Sequence, residues 1–314
     1  MSITRRNFIG GAAALAAAPL LSPLGGFAQT AGARTRLVLL GTGGGPRVTA
    51  KGRAKPATLI VVNGAPYVID CGEGVALQLV RAGVALDTLR HVFITHHHSD
   101  HNLDYGNLVY DGWAAGLRTP VDAYGPAPIK AITEAYWQLN RFDIETRIAD
   151  EGRVDLRKLV TVHEFAEPGL VMQNADVKVT ATRVRHPPIK EAYAYRFDAA
   201  DRSIVISGDT TYSPELIALA KGADVLVSEV MHLGGLENLL KKVPNAATLR
   251  EHLMASHIVT EDLGKLAAEA GVKGLVMSHL VPGDDPSITD QMWSEGVRKH
   301  YAGPIIVGRD LLEL

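Results

Sequence analysis

Cysteine is almost missing from this chain of 314 residues, and Cys71 is the only one. An intramolecular disulfide is therefore excluded, whatever compartment the protein occupies. Cys71 itself reads as a small buried side chain. A basic excess is missing too. Lysine and arginine number 32 against 34 aspartates and glutamates, a formal charge of −2. With no basic stripe either, a nucleic-acid partner is not expected. The sequence has no low-complexity tract, no evident repeat and no composition shift. Its 46% hydrophobic and 21% charged residues are ordinary for a globular protein. The length allows one large domain or two small ones. No apolar run is long enough to span a bilayer comfortably.

The first 28 residues follow another logic. Arg5 and Arg6 precede an Ala/Leu-rich run, Gly10 to Leu21, and a small-residue region, Gly25 to Ala28. This is a charged, apolar and cleavage-site succession similar to a twin-arginine export signal. We expect residues 1–28 to be removed near Ala28 or Ala33. The expected location is periplasmic or secreted, with 29–314 as a single domain. Removal takes away two arginines and no acid, leaving a charge of −4. That export route carries folded proteins, so a metal could load first.

Short β-rich runs recur, including Arg36–Leu40, Thr58–Val62, His91–Thr95, Val177–Val184, Ser203–Ser207, Asp224–Ser228 and Gly274–Ser278. Val177–Val184 alternates and should bury one face more than the other. Helical patterns lie between them, among them Gly74–Ala82, Asn102–Ala115, Pro128–Asn140, Ser213–Lys221, Ala246–Ala255, Thr260–Ala270 and Ile288–His300. Pro214 suits a helix start. Thr260 is expected to cap its helix, with Glu261 and Asp262 in the first turn. The alternation predicts an α/β (α+β) protein with mixed sheets covered by helices.

The chemistry concentrates at the end of one strand. His96, His98, Asp100 and His101 fall within six residues directly after an apolar run. Such closely spaced donors repel one another unless a cation lies between them. Imidazole and carboxylate suit a borderline divalent ion, usually Zn²⁺. Three further residues end apolar strands in the same way: His186, Asp209 and His279. His97 alternates away from its neighbours. His91, His163, His252 and His300 have no motif partner. His232 follows Glu229 closely enough to line a cleft. The 102–116 segment could supply an aromatic wall through Tyr105, Tyr110 or Trp113. The Gly41–Pro46 segment lacks a complete nucleotide-loop pattern and reads as a tight loop flanking the site.

In this order the motifs resemble the metallo-β-lactamase-fold hydrolases, in particular the ribonuclease Z, arylsulfatase and phosphodiesterase branch. The matching features are Leu40–Gly43, Ile69–Gly74, the histidine run, His186, Ser207–Thr210, Ser228–Glu229, His257 with Thr260, and Ser278–His279. The resemblance spans about 36–310. It implies an αββα sandwich of two mixed sheets flanked by helices. It implies one metal on His96, His98 and His186, and another on Asp100, His101 and His279, with Asp209 bridging. Two such ions lower the pKa of a shared water, and Asp100 is placed to orient the hydroxide. The expected cofactors are two divalent ions, Zn²⁺ first, with Mn²⁺ or Fe²⁺ as alternatives. Asp70 is a candidate acceptor for a ligand imidazole N–H. Glu229 and His257 match the pair that relays a proton to the leaving oxygen in ribonuclease Z-like enzymes.

The chain departs from that pattern at Asp104, where ribonuclease Z enzymes usually have glycine. It has no long Gly/Pro-rich arm for gripping tRNA. The expectation is a metal-dependent hydrolase of small esters, sulfate or phosphate (di)esters first, with no membrane span after signal removal and a homo-oligomer left open. Pre-tRNA is not expected as substrate. The alternatives are a lactonase or β-lactamase, a ribonuclease Z-type endonuclease, and a non-catalytic metal- or ligand-binding protein.

Overall fold

The computed structural model describes residues 35–49 and 52–314. The expected export signal over 1–28 lies outside the described residues. Two seven-stranded sheets pack face to face. The first holds β1 (Thr35–Gly41), β2 (Ala57–Val62), β3 (Ala65–Ile69), β4 (His91–Phe93), β5 (Val121–Pro126) and β6 (Val160–Phe165) in order. The second holds β7 (Gly169–Gln173), β8 (Val177–Arg183), β9 (Tyr193–Ala199), β10 (Ser203–Ile206), β11 (Val225–Met231), β12 (Leu275–Val281) and β13 (Ile305–Val307). A short β14 (Leu312–Glu313) pairs with β1 and completes the first sheet. Each sheet is antiparallel at one end and parallel at the other, β3 to β6 and β10 to β13 being parallel.

Helices cover the outer faces. They are α1 (Val75–Arg81), α2 (Ser99–Asn102), α3 (Tyr105–Ala114), α4 (Ile129–Leu139), α5 (Arg141–Glu151), α6 (Pro214–Ala220), α7 (Leu233–Leu240), α8 (Ala246–Ser256), α9 (Thr260–Ala270) and α10 (Asp290–Arg298). Three apolar layers result. Successive strand residues point to opposite faces, and β1 shows it directly. Leu37 and Leu39 enter the layer between the sheets, whereas Val38 and Leu40 pack under the helices of the first sheet. Phe93, Tyr195 and Phe197 cross at the centre of the middle layer, with ring centroids 5.2–5.5 Å apart for Phe93 and its two edge-on neighbours. The alternation of Val177–Arg183 gives its buried face, through Val177, Val179 and Ala181.

Local signals hold with one correction. Ser213 caps α6 by accepting the Leu216 N–H, and Pro214 opens that helix. Thr260 is not a cap. Val259 holds the N-cap position of α9 and Thr260 is its first residue. Val259 is fixed there by a bridge to Met231 of β11, so the chain enters the helix from a strand-like conformation.

Candidate metal centre

The loops after β4, β8 and β10, together with β12 itself, bring the sequence-predicted ligands to one place. His96, His98, His186 and Asp209 offer donor atoms within 4.8 Å of one another, and Asp100, His101 and His279 form a second such group. Asp209 also groups with His257 and His279. His96 Nε2 lies 3.1 Å from His98 Nδ1, and His186 Nε2 lies 3.0 Å from that same nitrogen. Donors on a tetrahedral ion at about 2.0–2.1 Å stand roughly 3.3 Å apart. In the second group, His279 Nε2 lies 3.3 Å from Asp100 Oδ2 and 3.2 Å from Asp209 Oδ2. His101 Nε2 and Asp209 Oδ1 face each other at 3.2 Å, and both are buried without a hydrogen bond. Buried polar atoms almost always have partners. A cation would supply one to each, so the residues fit a divalent metal.

The outer contacts fix which ring nitrogens face inward. His186 donates its Nδ1–H to the Ser256 carbonyl at 2.8 Å, leaving Nε2 for the centre. His101 turns Nδ1 to Asp70 Oδ2, also at 2.8 Å. Asp70 in turn accepts the Thr95 N–H and hydroxyl, which tethers the histidine run to the end of β3. Asp70 sits at φ 62° and His279 at φ 40°, a region that non-glycine residues rarely occupy. Gly44 and Gly45 form the flanking loop. The Gly45 N–H donates to Asp100 Oδ2 at 2.8 Å. A Cβ on Gly44 would stand 2.7 Å from the His279 ring, so only glycine fits there.

Burial pushes His96 and His186 down, His186 to about 4. His101 behaves in the opposite way. Burial pushes it down, but Asp209, Asp70 and Asp100 outweigh that and raise it. Burial raises Asp209, but His101 and His279 overrule it and hold the carboxyl well below its usual range.

Glu229 and His257 lie beside this centre. Pairing between β11 and β12 shifts register between Ser228 and Val230, an irregularity of the kind that re-aims a side chain. Glu229 Oε1 accepts the Thr210 N–H at 2.7 Å. Both Glu229 oxygens lie 3.0 Å from His257 Nδ1. Burial pushes His257 down, but Glu229 outweighs it and lifts the imidazole to about 9. Burial raises Glu229 itself, against the pull of His257. Glu229 thus takes up Nδ1, which leaves Nε2 for the cleft that His257 lines.

That cleft measures about 410 Å³ and opens on Asp100, His98, Asp209 and His279. Arg47 and Lys55 line it, as do residues of α7, of α8 and of the segment between them. His252 of α8 also lines it, its ring centroid 6.3 Å from that of His98. Neither Lys55 nor His252 sits in a motif. Their proximity to the centre comes from packing, and the sequence carries no signal for it.

Other expectations resolve as follows. His97 turns away and binds the Pro126 carbonyl and Asn102. His232 does not line the cleft. Its Nδ1 caps α7 by accepting the Gly235 N–H, and its ring packs on Trp293. The 102–116 segment gives no aromatic wall, because Tyr105 and Trp113 are buried in the core beneath the first sheet's helices. Cys71 is fully buried. Asp104 accepts the Gly74 N–H at 2.7 Å and so braces the start of α1.

Residues 66–280 match the profile of the beta-lactamase superfamily domain. A protein named ribonuclease Z from Mycobacterium sp. (strain KMS) is 32% identical over 277 residues, covering 88% of this chain and 94% of that protein. Among solved structures, the metallo-beta-lactamase fold protein YhfI from Bacillus subtilis superposes with a TM-score of 0.65 at 19% identity, covering 89% of this chain and 98% of that one. Human tRNase Z, short form, superposes at 0.62 with 18% identity, covering 89% and 98%.

Proposed function

Because the chain belongs to the beta-lactamase superfamily and is a metal-dependent hydrolase of the metallo-beta-lactamase fold, we propose that it cleaves phosphodiesters at a binuclear centre. His96, His98 and His186 would hold one ion, Asp100, His101 and His279 the other, and Asp209 both. When bound, such ions act as Lewis acids on the substrate's oxygens and lower the pKa of water. Zn²⁺ suits the donor set best, and Mn²⁺ or Fe²⁺ also accept it.

The observation that carries the reading is the buried Glu229–His257 pair beside the ligands. A phosphodiester with an alcohol leaving group needs a proton delivered as the P–O bond breaks. His257 holds that proton on the cleft side, and Glu229 fixes its ring and tautomer. Asp70 keeps His101 turned inward. Asp100, held by Gly45, is placed to orient the attacking water as well as to bind metal.

Of the sulfate and phosphate (di)esters expected from the sequence, the ribonuclease Z relatives favour the phosphodiester. They also favour a second reading, an RNA phosphodiesterase, since the alignment runs through almost their entire length. Hydrolysis of bis(p-nitrophenyl) phosphate, p-nitrophenyl sulfate, a lactone, a β-lactam and pre-tRNA by zinc-reconstituted protein tests the proposal. Turnover should be highest on a phosphodiester. Faster turnover of the sulfate, lactone or β-lactam would refute it.

A further inference from the structure

The cleft in front of the centre has a mixed lining. Leu239 of α7, Val243, and Leu249 and Leu253 of α8 form one wall, continued by Val281 at the end of β12. These side chains belong to one apolar cluster, yet Leu239, Val243 and Leu249 are only partly buried by the protein. The lining also holds Arg47, Arg53 and Lys55, with Asp284 as an acidic neighbour of Lys55. Lys55 binds the Arg47 carbonyl, and burial pushes its ammonium down. Apolar side chains left half-exposed inside a cleft, and not on an open surface, mark a place that an apolar group completes.

The position of His257 tells which part of a substrate lies there. His257 is the C-cap of α8, one turn beyond Leu253. The oxygen that takes its proton must lie against His257 Nε2. Whatever is attached to that oxygen then runs along α8 toward Leu253 and Leu249. The leaving alcohol faces the apolar wall, and the retained anionic part faces the basic loop.

We infer that the α7–α8 wall is the seat of an apolar leaving alcohol, so that the substrate is a compact phosphodiester of an aryl or alkyl alcohol. This rests on the phosphodiesterase reading. In the reaction, water attacks phosphorus and the bond from phosphorus to the apolar alcohol's oxygen breaks. That oxygen leaves with the His257 proton, and the attacking water's proton returns to the site. The products are the free alcohol and a phosphate monoester.

Methyl 4-alkylphenyl phosphates test the seat, with the 4-substituent running from methyl to butyl. Their phenols have nearly equal acidity, so only apolar size varies. In zinc-loaded wild type, kcat/KM should rise with each methylene, by up to roughly fourfold if burial is complete. Leu249→Ser and Leu239→Ser, both at partly exposed positions, should flatten that rise. An alkanol series with the same retained group distinguishes aryl from alkyl preference. A flat wild-type series with good turnover would overturn the seat and leave the phosphodiesterase reading intact. An equal slope in wild type and both variants would do the same. Pre-tRNA cleaved with a higher kcat/KM than the best aryl ester would also overturn it. No turnover of any phosphodiester would overturn the parent reading, and the seat with it.

Discussion

At the scale of single residues, the proposed function assigns metal to one set of side chains and a proton to a neighbouring pair. Glu229 and His257 are joined by two 3.0 Å contacts and lie just outside the two ligand groups. Loss of a proton donor should hurt poor leaving groups most, because a low-pKa phenol departs unaided. For His257→Ala we expect a loss of roughly 10²–10⁴-fold on esters of high-pKa alcohols, and little on nitrophenyl esters. The variant's rate should therefore fall more steeply with leaving-group pKa than the wild type's. Glu229→Gln should show the same trend more weakly. Equal losses across the series, with metal content unchanged, would make His257 a support for the loop and not the acid. Most of this neighbourhood is legible in the sequence, because chemistry-bearing residues stop apolar runs: Asp70 after β3, the histidine run after β4, Asp209 after β10. His252 and Lys55 are not legible. They line the cleft through tertiary packing, far in sequence from the ligand motifs.

At the scale of elements, the strands carry the site because they are pinned from both sides. Phe93 ends β4 two residues before Thr95 and is fully buried. It stacks on Tyr124 at 4.9 Å and meets Tyr195 and Phe197 edge-on. Phe93→Ala should cost about 3–5 kcal/mol, the usual range for emptying such a position. Urea unfolding at matched metal loading measures it, and a loss under 1 kcal/mol would show that the middle layer does not anchor β4. Each element missed in the sequence has its own physical cause. The α5 helix buries only Ile144 and is laced by ion pairs of Arg141 with Glu145 and of Arg147 with Asp143 and Glu151. Apolar periodicity cannot reveal a helix of that kind. Two glycines, Gly234 and Gly235, obscure α7. β6 and β7 are edge strands with mostly exposed or half-buried residues, so neither shows a clear apolar run.

At the scale of the whole molecule, three apolar layers hold a rigid frame, and the polar centre occupies one edge of it. Among the described residues, no helix is long and apolar enough to cross a membrane. What the frame does provide is seven donors held in place around two positions, with His101 and Asp209 lacking hydrogen bonds at their facing atoms. In the proposed function both positions hold metal, and phosphodiester cleavage needs both. The most direct test is a zinc titration of chelator-stripped protein, following bound metal and bis(p-nitrophenyl) phosphate hydrolysis together. The account predicts activity that reaches its plateau only near two equivalents per chain, and an Asp209→Ala variant that binds at least one ion fewer with almost no turnover. Full activity at one equivalent, or undiminished activity in the stripped protein, would contradict it.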